Sequence, residues 1–275
     1  MVVRHLVDTD FKTIMECFLS AFENYFVKMP TDHNFYKERW KAAGVNFELS
    51  YGMFDNDKLV GFIINAIAVR QGELTAYNSG TGVIPEYRGK RIVKAIYDFA
   101  IPDLIQNGIT KCLLEVITEN VKAIKSYEGI GFKICKNYKC YAGIITVETQ
   151  NNYALKEVTF NAVNWSELPN QELYSWDNQN ESLEKGNYNY YQVIVDNQVD
   201  SFFAINSENG YLAQLEVLKN TNTSWNILFS SIQSIQKEIK TNNVDDRLID
   251  KIKAIEAAGL KNTVIQYEME LFIQA

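Results

Sequence analysis

Residues 83–98 read VIPEYRGKRIVKAIYD, an extended apolar run that stops at Pro85 and turns into a helical pattern through a cation-rich link. Arg88, Lys90, Arg91 and Lys94 gather there in an otherwise acidic chain, with 27 Lys+Arg against 34 Asp+Glu and a formal net charge of −7. A helix N-terminus leaves amides without internal partners and carries a partial positive charge, so it suits a phosphate. Gly89 relieves backbone crowding at the turn, and the cations add charge-assisted hydrogen bonds. Charge alone leaves two readings open: a phosphate site at a strand–helix junction, or the start of an ordinary solvated helix.

Around this stretch the chain has 275 residues, 47% of them apolar and 13% aromatic, enough for two domains with buried cores. The apolar runs are short and interrupted, which predicts no bilayer span. The opening MVVRHLVDTD lacks the layout of a signal peptide. Cys17, Cys112, Cys135 and Cys140 are scattered, and His5 and His33 are the only histidines, so reduced thiols and no metal site are expected in a cytoplasmic protein. Net negative charge argues against general nucleic-acid binding.

Upstream, Phe11, Ile14, Met15, Phe18, Leu19 and Phe22 recur at helical spacing behind Asp8 or Asp10, and a second helix ends at Gly44. LSYGMFDNDKLVGFIINAIAV predicts a hairpin about Asp55-Asn56-Asp57, and ELTAYNSGTGVI a further strand. Downstream, Ile92, Ile96, Phe99, Ala100 and Leu104 form one face of a helix from Gly89 to Asn107, with a bend expected at Pro102. A buried strand KCLLEVI, a helix stopped by Gly131 and aromatic-rich strands follow. The order is βααβββαβαβ, a mixed α/β layout, with a boundary expected in the polar ETQNNYALKE. The second half is expected to repeat the first in degenerate form, the other reading being coincidence between short amphipathic pieces: IKSYEGIGFK at 124–133 aligns with IKAIEAAGLK at 252–261, and a second hairpin is centred on Asp196-Asn197.

VIPEYRGKRIVKAI resembles the acetyl-CoA-binding motif of the GCN5-related N-acetyltransferase (GNAT) superfamily, V-x-P-x-x-R-G-x-G-x-G/A. EVITENVKAIKSYEGIGF, residues 115–132, resembles the family's second signature, with Asn120, Ala123, Tyr127, Gly131 and Phe132 at the usual intervals. The resemblance implies a mixed, mostly antiparallel sheet flanked by helices in two tandem copies. Residues 1–148 would be the catalytic domain and 153–275 a degenerate one. It implies acetyl-CoA as acyl donor and a small-molecule amine or an amino terminus as acceptor. Thr81, Gly82 and Val83 would pair with the pantetheine arm. Amides of Arg88, Gly89, Lys90, Arg91, Ile92 and Val93 would cradle the pyrophosphate. Asn120 would bond the pantetheine, and Tyr127 would be the general acid at the leaving sulfur. Glu115 matches a position where some members carry a water-relayed base; Glu73 is the other candidate.

Two departures stand out. Where the family prefers glycine, and glycine or alanine, this chain has Arg91 and Val93. A β-branched Val93 would crowd phosphate oxygens and Arg91 would add charge, with about 1–3 kcal/mol at stake per lost amide contact. The second half has no RGxG element, only Lys219 as a nearby cation, and Ile255 where Tyr127 aligns. The alternative is therefore a non-catalytic acyl-CoA- or ligand-binding module. GTG at 80–82 is too short for a Rossmann signal. Tyr25, Phe26, Phe35, Tyr36 and Trp40 are candidates to line the acceptor pocket, although aromatics at helical spacing also suit a core.

Overall fold

A computed structural model describes residues 1–273. Its first elements are β1 (Val2–His5), α1 (Phe11–Ala21), α2 (His33–Ala43), β2 (Tyr51–Asp55), β3 (Lys58–Arg70) and β4 (Glu73–Val83). Then come α3 (Ile92–Gln106), β5 (Lys111–Ile117), α4 (Val121–Glu128) and β6 (Lys133–Ile144). That order is the βααβββαβαβ expected. Asp10 and Asp32 cap α1 and α2 by accepting from Thr13 N and Asn34 N, and Gly44 ends α2 in the left-handed conformation at φ 82°. The β2–β3 turn falls at Asn56, φ 53°.

α3 starts three residues later than the apolar pattern suggested, because Gly89 and Arg91, at φ 77° and 57°, turn the chain outside the helix. The helix then runs through Pro102, which removes one amide donor without ending it.

The second half supplies β7 (Ala154–Val158), α5 (Asn180–Leu183), β8 (Asn189–Val195), β9 (Gln198–Asn206) and β10 (Tyr211–Val217). It ends with α6 (Asn222–Ile235), β11 (Glu238–Asp245), α7 (Ile249–Ala257) and β12 (Lys261–Phe272). β6 and β12 are each 12 residues long and stand at the same offset as the aligned segments of α4 and α7. Asp196 and Asn197, φ 50° and 61°, make the β8–β9 turn. α1 and α2 have no regular counterpart here: four 3₁₀ turns between Phe160 and Asn178 stand in that part of the chain.

Two compact units result, one made of Met1–Cys135 with the C-terminal stretch from Tyr267, the other of Lys136–Gln266. The first carries strands in the order β1-β2-β3-β4-β5, with the end of β12 beside β5, where Ile273 N donates to Thr110 O at 2.9 Å. β1 to β4 are antiparallel and β4–β5 parallel. The second carries the start of β12, then β6-β11-β10-β9-β8-β7. Each sheet is thus completed by a strand from the other half of the sequence. By this division ETQNNYALKE lies inside the second unit.

In the first unit Phe18, Phe62, Tyr36 and Trp40 are almost wholly buried in one core with Ile92, Ile96, Leu114 and Tyr127. In the second, Phe203, Leu212, Leu228, Phe229 and Ile255 are buried. No described helix is long and apolar enough to cross a membrane.

Candidate active site

The site of the first unit begins where β4 and β5 part. Their parallel pairing covers Thr75↔Lys111 to Asn78↔Leu114 and goes no further. β4 continues alone on that side through Ser79–Val83, still held by β3 on the other through Ile63↔Thr81, Phe62↔Gly82 and Gly61↔Val83. A bulge at Ser79, between Ile64↔Gly80 and Asn65↔Asn78, marks the departure. Main-chain groups on the open edge of residues 79–83 can therefore pair with an extended ligand arm. Gly82 is required for another reason: a Cβ there would stand 2.7 Å from Ala21 Cβ and 2.7 Å from Phe62 Cζ, so its bareness lets α1 approach the strand.

At the end of β4 the chain makes a 3₁₀ turn at Pro85–Tyr87 and enters the loop Arg88–Arg91. Among the described residues, the amides of Gly89, Lys90, Arg91, Ile92, Val93 and Lys94 have no acceptor. The first to find one is Ala95, which donates to Arg91 O at 3.0 Å, and no side chain caps the helix. Successive free amides at the positive end of a 15-residue helix make an anion cradle. A Cβ on Gly89 would meet nothing within 4 Å, so the space beside the loop is open. The geometry fits a pyrophosphate.

The individual residues are used differently from one another. Arg88 N already donates to Pro85 O at 3.2 Å, which removes it from the cradle. Its guanidinium ties Val83 O (3.2 Å) to Ala21 O (2.9 Å), bracing strand end, loop and α1 together. Lys90 Nζ lies 4.3 Å from the centre of the Tyr87 ring, and Lys94 pairs with Asp98 at 2.8 Å. Arg91 is exposed. Ile92 is buried, and Val93 packs against the core, so the crowding expected from its branched side chain is directed away from the loop.

Tyr127, on α4, is 8% exposed, and burial pushes its phenol up to about 12, opposed by a hydrogen bond with the Thr81 hydroxyl. It is held edge-on by Phe132 and Tyr97, with ring centres 5.8 and 6.5 Å away. Asn120 caps α4, its Oδ1 accepting from Ala123 N at 3.3 Å, and burial raises the Tyr25 phenol against an opposing influence of the Asn120 side chain. Thr81, Asn120 and Tyr127 thus come together at the parted strands. Glu115 is the first β5 residue beyond the last β4 pair. It is half-buried with Oε1 shielded from solvent, on the strand face opposite Cys112, Leu114 and Val116. Glu73 sits at the far end of β4, about 26 Å of strand from Thr81, with its carboxylate 3.8 Å from Lys111 Nζ.

Asn78 and Tyr97 belong to the site although the motifs did not point to them. Asn78 Nδ2 donates to Thr81 Oγ1 at 2.5 Å and to Tyr97 Oη at 2.9 Å, and its Oδ1 accepts from Gly80 N at 3.0 Å. A polar Asn inside an apolar strand, followed by Ser-Gly-Thr-Gly, was the available signal for a bulge. Of the aromatic acceptor candidates, Tyr36 and Trp40 are core residues around Phe18, whereas Phe26 and Phe35 are 56% and 42% exposed.

The second unit closes the corresponding features with its own side chains. Thr221 caps α6 by accepting from Ser224 N at 3.1 Å, and Ser224 Oγ donates to the Asp200 carboxylate at 2.9 Å, a charge that repels phosphate. β10 and β11 pair only at Tyr211↔Lys240, yet the exposed β10 edge is taken by Tyr174. That hydroxyl accepts from Leu215 N (3.3 Å) and donates toward Glu216 (2.7 Å), and buried Lys251 reaches both. Ile255, fully buried, stands in place of Tyr127.

Residues 11–132 match the family model described as Acetyltransferase (GNAT) family. N-alpha-acetyltransferase 30 of Schizosaccharomyces pombe is 28% identical over 95 residues, 34% of this chain and 62% of its own length. The ribosomal protein bS18 alanine N-acetyltransferase of Escherichia coli K12 is 30% identical over 93 residues, 33% of this chain and 60% of its own. The match spans about three-fifths of these relatives. Among solved structures, a GCN5-related N-acetyltransferase from Sphaerobacter thermophilus superposes with a TM-score of 0.72 at 11% identity, covering 100% of this chain and 96% of that one. A tandem GNAT protein from the clavulanic acid biosynthesis pathway gives 0.69 at 13%, covering 100% and 98%. At such identities the likeness is one of fold.

Proposed function

Since residues 11–132 match the GNAT family model and the chain shares the fold of a tandem GNAT structure, we propose that the first unit transfers an acetyl group from acetyl-CoA to a primary amine by direct attack on the thioester. The observation that carries this is the run of six free amides, Gly89–Lys94, following the strand edge that β5 leaves unpaired beyond Asn78. Gly89, Lys90, Arg91, Ile92, Val93 and Lys94 would hold the pyrophosphate, and the edge of Thr81, Gly82 and Val83 with Asn120 would hold the arm. The donor supplies an activated acyl group. Glu115 would take a proton from the attacking amine, directly or through water. Tyr127, whose raised pKa keeps it protonated throughout the neutral range, would give its proton to the leaving sulfur. Both sequence relatives are named for acetylation of amino termini or of a protein, so the acceptor put first is an amino terminus, with small amines next.

Calorimetric titration with acetyl-CoA tests the binding step. One site per chain is expected, weakened at least tenfold by Gly89→Val, since a branched residue cannot hold φ 77° without strain. A peptide and amine screen then tests transfer, with Tyr127→Phe expected to lower kcat about 10²–10⁴-fold. Binding without turnover of any amine would leave the non-catalytic reading standing. Two sites per chain would contradict the closed second unit.

A further inference from the structure

We propose that Leu271 is a positioning residue for Tyr127, and that the second half of the sequence takes part in the proposed reaction through the strand segment that carries it. The inference rests on the reading of Tyr127 as the acid of an acetyl transfer. It starts from the end of α4. The carbonyl of Tyr127 accepts from three amides, Ile130 N at 3.0 Å, Gly131 N at 3.1 Å and Phe132 N at 3.0 Å, so the backbone of the acid is tied to the turn that leads into β6. Gly131 stands in that turn at φ 117°, where a side chain is disfavoured. A Cβ placed on it would lie 3.3 Å from Leu271 Cδ1, so the leucine lies against the bare turn.

The strand that carries Leu271 is fastened within the first unit on both of its faces. Met269 and Ile273 are buried in the core, and Tyr267 and Leu271 pack against it, as alternate positions of a strand do. The residues between them bind elsewhere. Cys135 Sγ donates to Glu268 O at 3.4 Å and lies 3.5 Å from Glu268 Oε1. Glu270 pairs with Lys111 Nζ at 3.0 Å, and the centre of the Phe272 ring is 4.9 Å from the same ammonium. Ile273 N donates to Thr110 O at 2.9 Å, and Thr110 N in turn to Leu74 O at 3.0 Å.

Donor and acid are therefore held by different neighbours. The free amides and the open edge belong to β4 and the start of α3, and β4 lies between β3 and β5 in the sheet. Tyr127 rides on α4, which follows β5, and β5 lies between β4 and β12. Beyond Leu114 β5 has parted from β4, which leaves β12 as its remaining sheet neighbour. A change at Leu271 should move the acid and leave the anchor of acetyl-CoA in place. A shift of about 1 Å at a reacting group costs up to about 10²-fold in rate.

The test is a series at Leu271 in the whole chain, with kcat and the acetyl-CoA Kd measured for each variant. Relative to wild type, kcat is expected to fall about tenfold or more in Leu271→Ala, about fivefold in Leu271→Val, and less than about twofold in Leu271→Met, which refills the volume. Kd should stay within about twofold throughout. Leu228→Ala, at a fully buried leucine of the second unit, controls for lost stability: Tm should fall at least as far, with kcat within about twofold of wild type. The double variant reads the coupling. Adding Leu271→Ala to Tyr127→Phe should cost less than about twofold beyond Tyr127→Phe alone, and Leu271→Val serves in its place if Leu271→Ala does not fold. Wild-type kcat across the series, an equal fall in Leu228→Ala, or a full further loss in the double variant would overturn the positioning role and leave the acetyltransferase reading intact. Wild-type activity in Tyr127→Phe, or no acetyl-CoA binding by the wild-type chain, would overturn that reading's acid or donor, and the inference with it.

Discussion

Arg91 holds a conformation that most residues avoid. At φ 57° it sits where the left-handed region costs an L-residue about 1–2 kcal/mol, at a position where the family favours glycine. Glycine would remove that cost but lose about 0.5–1 kcal/mol more chain entropy on folding. Arg91→Gly should therefore raise stability by up to ~1 kcal/mol, seen as an increase in Tm of about 2 °C. The same change removes an exposed charge beside the cradle, and acetyl-CoA affinity should fall about two- to fivefold, as such charges contribute about 0.5–1 kcal/mol. If affinity instead rose with stability, Arg91 would be a strained residue with no compensating use. Val93 raises no such question, because its side chain belongs to the core.

At the scale of elements, the site depends on how closely α1 lies against β4. Gly82 makes that approach possible, and Arg88 fastens it by joining the carbonyls of Ala21 and Val83. Gly82→Ala places a methyl group 2.7 Å from a backbone-anchored Ala21 Cβ, so α1 must move and not merely repack. Overpacking of this kind costs about 1–3 kcal/mol. The expected result is a lower Tm together with weaker acetyl-CoA binding, because the open edge shifts with the helix. An unchanged Tm would show that α1 has room to yield. The helices and hairpins were legible in advance from caps and turn residues: Asp10 and Gly44, then Asn56 and Asp196-Asn197, whereas the Asp32 cap of α2 emerged only in the structure. The start of α3 was not, since apolar spacing continues back to Gly89 while only the loop's positive φ angles take Gly89 and Arg91 out of the helix.

For the molecule as a whole, burial of weak acids sets an alkaline limit. Cys17, Cys112 and Tyr127 are each pushed up to about 12 by burial, from ordinary values near 8.5 for the thiols and 10 for the phenol. Groups raised in this way favour the folded state fully below their unfolded values and lose that contribution as pH rises through the folded ones. Tm should thus hold to about pH 9 and fall between about 9 and 12. Cys17→Ala with Cys112→Ala should make the fall shallower, and a flat Tm to pH 11 would refute the account. What the amino-acid sequence determined by itself was the local grammar: the order of elements, the repeat, the cation-rich junction before α3 and the Asn120–Tyr127 signature. Each of these depends on neighbours a few residues apart, through dihedral preference, capping and apolar period. What only the tertiary structure decided was which strand completes which sheet, that Arg88 ties α1 to the end of β4, that Glu73 lies at the far end of β4, and that Asn78 bonds Thr81 and Tyr97. Those depend on groups brought together from distant positions, which neither periodicity nor spacing encodes.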